Sequence, residues 1–466
     1  MSSDSPQRRH GVLVVVAALL VAASAAVGGV FGGPLLARQV TGADLAQWHA
    51  GNTPTPPPPV LVAADGQAAP PTAAGVSTAL SALVGATGLG THVGMSVVDV
   101  ATGQQLYAMQ PDAAMVPASV TKLVTGTAVL AARGPTYRIQ TKAVAGPNPG
   151  DVVLVGGGDP TLSIGANGSY AGAARLDDLA AQVRTALGDA PPARVLYDGS
   201  LYSGAVTGPG WDPDAATGGF GSTITALMTD GARVNPRQSK GYAQRYPQPD
   251  IAAAQAFAKL LGLSAAAAVP GTAPSGAKEL GKVESAPLLR IVETMMADSD
   301  NVVAEMLARQ VALARNQPAT WAGAVTAMRA VLEELGVPVA GYNLQDGSGL
   351  SRLDRLSPEL LTALLTVAAK PDKPDLHGVF TGLPVGGYSG TLTTRYRNPN
   401  AGGSAAGDVR AKTGTLTGVS SIAGIVIDAD GRTLAFALMA DANKSTPAAV
   451  EALDRIVAAL AACGCR

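Results

Sequence analysis

Apolar and polar residues follow strand and helix periods over most of the chain after residue 75. Residues 93–100 alternate and meet the turn signal Ala101-Thr102-Gly103 before residues 104–107, which predicts a β-hairpin. Pro117 and Ser119 are helix start signals ahead of an apolar run at residues 123–130. We therefore expect a hairpin that leads into a helix with Ser119 in its first turn.

The C-terminal part repeats this alternation and then changes to a helical period. Residues 409–415 read as a strand, and residues 422–427 and 433–439 flank Asp430-Gly431, a strong hairpin signal. Thr446-Pro447 then opens an amphipathic helix. With the N-terminal hairpin, these strands predict an α+β fold in which an antiparallel sheet is flanked by helices.

The middle of the chain has a different pattern. Residues 137–285 contain short β-like runs, such as 152–155 and 195–197, broken by turns rich in Gly, Pro and Asp, with helical spacing at residues 176–187. We interpret residues 137–285 as a β-rich inserted domain. The surrounding domain then consists of residues 75–136 and 286–466.

The N-terminus carries an export signal. Arg8 and Arg9 precede an apolar run at residues 11–33, which is long enough to span a bilayer and reads as a signal peptide or a membrane anchor. A retained anchor is the favoured interpretation, although Ala23-Ser24-Ala25 resembles a cleavage site. Residues 1–10 would form a cytoplasmic tail, and residues 34–74 a Pro/Ala-rich linker. The positive-inside rule puts the rest of the chain outside the cytoplasm, in the cell envelope.

Charge and composition exclude several classes of function. The formal net charge is -1 and no basic stripe occurs, so we expect no nucleic-acid partner. The two cysteines, Cys463 and Cys465, stand too close for a relaxed structural disulfide. The four histidines are scattered and form no ligand spacing with the cysteines, so we expect no metal site.

Ser119 and Lys122 offer nucleophilic chemistry. Residues three apart on a helix share a face, so the Lys122 amine can reach the Ser119 hydroxyl. A lysine whose pKa is lowered by burial can take the proton of a serine nucleophile. The free N–H groups at the start of a helix suit a developing oxyanion. The same Ser-x-x-Lys spacing recurs at Ser275 and Lys278, where Pro and Gly favour a turn.

Two further short stretches allow both a structural and a functional interpretation. Ser299 and Asn301 stand between two apolar-periodic helices, where small polar residues can cap the second helix. Alternatively, the loop presents a hydroxyl and an amide to a cleft. Lys412-Thr413-Gly414-Thr415 lies on the predicted strand at residues 409–415.

Together, Ser119-x-x-Lys122, Ser299-Asp300-Asn301 and Lys412-Thr413-Gly414 match, in order, the motif set of penicillin-binding proteins and class A β-lactamases. The chain resembles the D-Ala-D-Ala carboxypeptidase/endopeptidase family of low-molecular-mass penicillin-binding proteins, the class with a large insert between the first two motifs. The resemblance extends to residues 156–162, 346–352 and 383–392. The insert looks shorter than is usual in this class.

The resemblance implies a β-lactamase/transpeptidase-like domain and a serine-type D-Ala-D-Ala carboxypeptidase, with DD-endopeptidase as a second activity. Ser119 would attack the penultimate D-Ala of peptidoglycan stem peptides, and Lys122 would take its proton. Ser299, with Lys412 near it, would pass a proton to the departing D-Ala, and Asn301 would hold Lys122 and the substrate. Lys412 would attract the terminal carboxylate, with Thr413, Gly414 and Thr415 lining the substrate site. β-Lactam antibiotics would be covalent inhibitors, and no metal or organic cofactor would be required.

Arg352 follows a Gly-rich turn that the family places near the cleft. Its guanidinium would suit a carboxylate on the peptide side chain, and a surface salt bridge is the alternative. A β-lactamase and a catalytically idle cell-wall binding module of the same fold are the rival functions. No Gly-x-Ser-x-Gly motif occurs, so an α/β-hydrolase is not supported.

Overall fold

The structure is a computed structural model that describes residues 68–238, 242–397 and 405–464. The apolar run at residues 11–33 and most of the proline-rich linker lie outside the described residues. Within the described ranges, no helix combines the length and the apolar character that crossing a bilayer requires.

The described residues form ten strands and ten α-helices. The strands are β1 Val93–Asp99, β2 Gln105–Met109, β3 Gln140–Ala145, β4 Asp151–Val155, β5 Arg194–Asp198, β6 Ala268–Pro270, β7 Glu279–Glu284, β8 Val409–Leu416, β9 Val419–Ile427 and β10 Thr433–Ala440. The helices are α1 Ala73–Leu80, α2 Thr121–Arg133, α3 Leu176–Leu187, α4 Pro249–Leu260, α5 Leu288–Asp298, α6 Asn301–Ala314, α7 Trp321–Glu334, α8 Pro358–Ala368, α9 Gly378–Gly382 and α10 Thr446–Ala461.

The first sheet is antiparallel and joins the two ends of the described chain, which confirms the predicted α+β class. Its strand order is β2-β1-β10-β9-β8, so β8 lies at an edge. The central strand β10 is buried on both faces, which explains its nearly continuous apolar sequence. Leu434, Phe436 and Leu438 pack with α1 and α10, whereas Ala435 and Ala437 join the core around α2 and α8. Burying each Leu or Phe side chain contributes roughly 2 kcal/mol.

The second sheet has the order β6-β5-β4-β3-β7 and mixes parallel and antiparallel pairs. Helices α3 and α4 pack against it through side chains such as Leu179, Val183 and Phe257. Helix α3 has the bounds that the helical spacing at residues 176–187 predicts. All five strands lie between Lys122 and Ser299, within the segment interpreted as an insert, and the boundaries of that inserted domain stay a prediction.

Helix α2 positions the site because it lies inside the core. Every residue from Thr121 to Leu130 is buried, so the helix contacts protein on all sides. Its neighbours are α5, α6 and α7, which follow the insert in sequence. A lysine near the start of this helix is therefore removed from water.

Near the C-terminus, Cys463 is disulfide-bonded.

Candidate active site

Ser119 lies in a short 3₁₀ turn, Ala118–Val120, that runs directly into α2. The helix predicted at Ser119 thus begins within two residues of that position. Ala118 has a φ of 49°, in the left-handed region that non-glycine residues rarely adopt. A Cβ at Gly349 would lie 1.9 Å from the Ala118 carbonyl oxygen, so only glycine allows this close approach. The residue before the candidate nucleophile is therefore held tightly against a Gly-rich turn.

Lys122 stands one helical turn further on and is fully buried. Its Nζ atom lies 3.0 Å from Ser119 Oγ, 2.6 Å from Asn301 Oδ1 and 2.7 Å from the Ser348 carbonyl oxygen. A neutral amine has two N–H donors and one lone pair. Since Asn301 and Ser348 accept both donors, the lone pair is left for the proton of the Ser119 hydroxyl.

The charge state of Lys122 is tuned by burial. Desolvation lowers the pKa of Lys122 to about 8, although the carboxylates of Asp346, Glu305 and Asp300 act in the opposite direction. Burial also lowers the pKa of Lys412 well below its ordinary value, and the Lys122 charge adds to that effect. A free amine beside Ser119 is thus accessible near neutral pH, as general-base catalysis requires.

Two buried carboxylates support the turn that contacts Lys122. Glu305 Oε1 accepts from the Ser348 N–H at 2.8 Å, and Glu305 Oε2 accepts from the Gly347 N–H at 3.0 Å. Asp346 accepts from the N–H groups of Gly349 and Ser351. Burial and the neighbouring Asp346 raise the pKa of Glu305. These bonds fix the Ser348 carbonyl that accepts a hydrogen bond from Lys122.

Ser299 and Asn301 meet Ser119 at a cavity of about 280 Å³. The capping interpretation of these two residues is wrong, because the cap of α6 is Asp300, which accepts from the Val302 and Val303 N–H groups. Ser299 ends α5 with a φ of 56°, which turns the chain sharply. Asn301 bridges two partners, because its Oδ1 accepts from Lys122 and its Nδ2 donates to the Phe220 carbonyl at 2.9 Å.

The third motif lies on β8, the edge strand, as predicted from residues 409–415. Thr413 and Thr415 line the same cavity, and Lys412 is fully buried with its Nζ donating to the Thr413 carbonyl at 2.7 Å. A Cβ at Gly414 would lie 2.7 Å from the Pro117 carbonyl oxygen and 3.0 Å from the Ser119 nitrogen. Glycine at this position therefore lets β8 lie against the turn that carries Ser119.

Arg352 is engaged by a carboxylate of the insert. Its Nε and one terminal nitrogen donate to the two oxygens of Asp212 at 2.7 and 2.8 Å, and its other terminal nitrogen donates to the Thr417 carbonyl at 3.1 Å. Asp212 and Thr417 line a cavity of about 380 Å³ that also reaches Ser119. The salt bridge named as the alternative is thus present, at the rim of the site.

The insert supplies residues that the sequence did not indicate. The rings of Phe220 and Tyr242 meet edge to face, with centroids 4.4 Å apart, and both residues line the two cavities beside Ser119. Arg233 and Arg245 also line the smaller cavity. These residues lie on irregular backbone between β5 and α4, where neither a strand nor a helix period marks them.

The second Ser-x-x-Lys copy takes no part in the site. Ser275 lies in an exposed turn and Lys278 is exposed, as the neighbouring Pro and Gly predict. Among the residues that the structure describes, no group of three or more His, Cys, Asp or Glu side chains is arranged to hold a metal ion.

Comparison with known families gives a match over nearly the whole described chain. A model of the D-Ala-D-Ala carboxypeptidase 3 (S13) family matches residues 76–260 and 236–462. A carboxypeptidase of Mycobacterium tuberculosis is 41% identical over 422 residues, which cover 88% of this chain and 90% of the relative. The carboxypeptidase DacB of Mycolicibacterium smegmatis is 40% identical over 423 residues, with the same two coverages.

A more distant relative and a solved structure agree with this match. The D-alanyl-D-alanine carboxypeptidase of an Actinomadura species is 30% identical over 461 residues, which cover 80% of this chain and 81% of that protein. The crystal structure of penicillin-binding protein 4 from Haemophilus influenzae superposes with a TM-score of 0.67 at 23% identity, covering 82% of this chain and 97% of the other. At that identity the superposition shows a shared fold.

Proposed function

The chain belongs to the D-Ala-D-Ala carboxypeptidase 3 (S13) family, and we propose that it acts as a serine-type D-Ala-D-Ala carboxypeptidase through an acyl-enzyme on Ser119. The observation that carries this proposal is the 3.0 Å distance between Lys122 Nζ and Ser119 Oγ at a fully buried amine. The substrates are peptidoglycan stem peptides that end in D-Ala-D-Ala. β-Lactam antibiotics, which acylate the same serine, are covalent inhibitors.

In the acylation step, Ser119 Oγ attacks the carbonyl carbon of the penultimate D-Ala while its proton passes to the neutral amine of Lys122. The negative charge that develops on the carbonyl oxygen is stabilised by the backbone N–H groups of Ser119 and Thr415. The close approach of β8 at Gly414 supports this pairing, because it brings the backbone of the two segments together. Losing one such donor typically costs about 3 kcal/mol of transition-state stabilisation.

Collapse of the intermediate breaks the C–N bond and releases the terminal D-Ala. Its amine needs a proton, which Ser299 donates with Lys412 nearby. Ser299 is reprotonated by the proton that Lys122 took from Ser119, so Lys122 becomes neutral again. Asn301 holds both Lys122 and the substrate amide. Burial lowers the pKa of Lys412, and a substrate carboxylate beside the amine favours its charged form. Lys412, with the Thr413 and Thr415 hydroxyls, then binds the terminal carboxylate. Water then attacks the ester on Ser119, which frees the shortened peptide and restores the hydroxyl. A cross-linked peptide cleaved through the same ester gives DD-endopeptidase activity.

Arg352 contributes to substrate selection in this scheme. Its pairing with Asp212 beside the larger cavity supports a role at the side chain of the stem peptide. We propose that the Arg352 guanidinium binds the carboxylate of that side chain. This carboxylate would either displace Asp212 or bind the guanidinium beside it. The bidentate geometry of an arginine suits either arrangement.

The protein acts outside the cytoplasm, on the cell wall. We propose that the apolar run at residues 11–33 holds it at the membrane as a retained helix or is removed as a signal peptide. The proline-rich linker would then hold the catalytic domain away from the bilayer. Intact mass of the protein recovered from the membrane fraction and from the soluble extracytoplasmic fraction distinguishes the two, because cleavage removes the N-terminal residues.

Intact-mass analysis after exposure to benzylpenicillin tests the proposed nucleophile. The wild type, Ser119→Ala and the decoy variant Ser275→Ala are compared in one experiment, and D-Ala release from a D-Ala-D-Ala peptide is measured in parallel. We expect one stable penicilloyl adduct on the wild type and on Ser275→Ala, and none on Ser119→Ala.

Two other outcomes would replace the proposal. Rapid turnover of penicillin to its hydrolysed product would indicate a β-lactamase. Intact penicillin, no adduct and no D-Ala release from any variant would indicate a binding module that keeps the fold without the activity.

A further inference from the structure

Asp300, the middle residue of the second motif, is a buried carboxylate held by the insert. Its Oδ2 accepts a hydrogen bond from the Tyr170 hydroxyl at 2.8 Å and from the Arg233 guanidinium at 2.8 Å. The side chains of Arg233 and Asp300 are 3% and 2% exposed. Both partners come from the segment between Lys122 and Ser299, so the insert reaches the loop that carries Ser299 and Asn301.

The other carboxylate oxygen of Asp300 faces the main domain. Asp300 Oδ1 accepts from the N–H groups of Val302 at 3.0 Å and Val303 at 3.2 Å, and so caps α6. One side chain therefore joins the insert to the helix whose first residue is Asn301. Because Ser299 and Asn301 are its direct chain neighbours, a displacement of Asp300 displaces both.

The insert side of this contact is itself rigidly built. The residues just before Arg233, which are Asp230, Gly231 and Ala232, all have positive φ, so the chain turns sharply to aim the guanidinium. Arg233 Nη1 donates to the Tyr170 hydroxyl at 2.5 Å, and Arg245 donates to the Gly231 carbonyl. Asp230 Oδ1 also accepts from the Ser169 N–H at 2.6 Å, which ties this turn to the segment that carries Tyr170.

Electrostatics strengthens the contact. Arg233 and Arg245 both lie close enough to hold the pKa of Asp300 well below its usual range, despite its burial. Arg233 and Asp300 also line the 280 Å³ cavity that contains Ser119 and Ser299. The pair thus forms part of the wall of the site and is not a distant surface ion pair.

We propose that Arg233 and Tyr170 are positioning residues for catalysis, which act through Asp300 to fix Ser299 and Asn301 against Ser119 and Lys122. The inserted segment would then be required for the geometry of the reaction as well as for substrate contacts. This inference rests on the proposed function, since it concerns the same acylation reaction.

Acylation by benzylpenicillin tests it in the variants Arg233→Met, Asp300→Asn and the double variant. Asn caps a helix about as well as Asp, so Asp300→Asn removes the charge and keeps a capping side chain. We expect each single variant to slow acylation about ten- to hundredfold, since small misplacements of catalytic groups have effects of that size. The double variant should be no slower than the worse single variant, because the two residues act through one contact.

Further readouts separate positioning from a loss of folded protein. The final adduct should still reach one penicilloyl group per molecule, and kcat for D-Ala release should fall much more than KM rises. Arg233→Lys keeps a positive charge near Asp300 and should recover part of the rate. Tyr170→Phe, which removes one hydroxyl, supplies a milder test if Arg233→Met fails to fold.

Arg432→Met is the matched control. Arg432 forms a similarly buried ion pair with Asp99. That pair lies at one end of the first sheet, whereas Ser421, which contacts the Ser119 turn, lies near the other end. This control should lower the melting temperature and leave the acylation rate unchanged.

Three results would overturn the inference, and two of them leave the proposed function standing. Wild-type acylation rates in folded Arg233→Met and Tyr170→Phe would show that the contact only stabilises the protein. The same conclusion would follow if Arg432→Met slowed acylation as much as Arg233→Met. A wild type that forms no adduct on Ser119 would instead overturn the proposed function, and the inference with it.

Discussion

Lys122 and Asn301 are 179 positions apart in sequence, and a hydrogen bond of 2.6 Å joins their side chains. The insert lies between them in the chain, while their helices α2 and α6 pack side by side in the core. Asn301 therefore occupies one of the two N–H donors of a neutral Lys122 amine. The contact links the first two motifs at the atom that we propose as the base for Ser119.

The first prediction concerns the pH dependence of acylation. Because burial lowers the pKa of Lys122 to about 8 and its free amine is the proposed base, the rate should rise with pH and level off above about 8. At pH 6 the rate should be roughly a hundredfold below the plateau, since about 1% of the amine is then unprotonated. Benzylpenicillin acylation measured from pH 5 to 10 checks this. A rate independent of pH across that range would exclude Lys122 as the base.

A second prediction tests the Lys122–Asn301 contact itself. Asn301→Asp would put a carboxylate beside the amine and favour its charged form. The rising limb of the curve of acylation rate against pH should therefore move to higher pH by about one unit or more. Asn316→Asp, at an exposed position, is the control for an added negative charge and should leave the limb in place. Equal shifts in both variants would mean that the limb reports overall charge.

Regular elements could be predicted because their signals are local. The helical spacing at residues 176–187 and the Asp430-Gly431 turn lead to α3 and to the β9–β10 hairpin, which the structure confirms. The site residues were indicated by three motifs in a fixed order, each in its own setting: a helix start, a loop between helices and a strand. Ser119, Ser299 and Asn301 do meet at one cavity.

Contacts made by irregular segments could not be predicted in this way. Asp300 caps α6 because its side chain, and not that of Ser299 or Asn301, points at the free N–H groups. Sequence spacing cannot distinguish the three residues. Phe220 accepts a hydrogen bond from Asn301 through its main-chain carbonyl, so the type of its side chain does not indicate this contact. Arg233 reaches Asp300 only because three successive residues adopt positive φ, which a sequence containing Asp230 and Ala232 does not favour.

The third prediction concerns the approach of β8 to Ser119. Gly414→Ala would bring a Cβ within 2.2 Å of Ser421 Oγ and 2.7 Å of the Pro117 carbonyl oxygen, so the edge strand must move away from the nucleophile. We expect acylation to slow by about a hundredfold while the fold is retained. Gly199→Ala is the control, because its Cβ would meet no atom within 4 Å. An unchanged acylation rate in Gly414→Ala would show that Thr415 does not supply an oxyanion contact.

The fourth prediction separates the two interpretations of Arg352. The Arg352–Asp212 pair is 36% and 40% exposed, so its loss should cost less than about 1 kcal/mol of folding free energy. If Arg352 receives a substrate carboxylate, Arg352→Ala should lower kcat/KM about tenfold for peptides with that carboxylate. Peptides without the carboxylate should be unaffected. Equal kcat/KM values for wild type and variant on both peptides would leave Arg352 with the salt bridge alone.

The last prediction uses stability to test the buried carboxylate beneath Lys122. Burial and Asp346 raise the pKa of Glu305 above its ordinary value of 4.5, so the folded state retains a proton that the unfolded state releases. This contribution to stability is complete below pH 4.5 and is lost as the pH rises through the raised pKa. Glu305→Gln, which still accepts a hydrogen bond but has no charge, should therefore gain stability relative to the wild type as the pH rises.

Thermal unfolding from pH 4 to 9 measures this difference. The gap in Tm should widen by a few degrees, since 1 kcal/mol corresponds to about 2–4 °C for domains of this order of size. Glu333→Gln, at a side chain that is 50% exposed on α7, should follow the wild type throughout. Parallel curves for Glu305→Gln and the wild type would show that Glu305 stays ionised in the folded protein. Its charge would then act on Lys122 at every pH, and the rising limb of acylation would move to lower pH in Glu305→Gln.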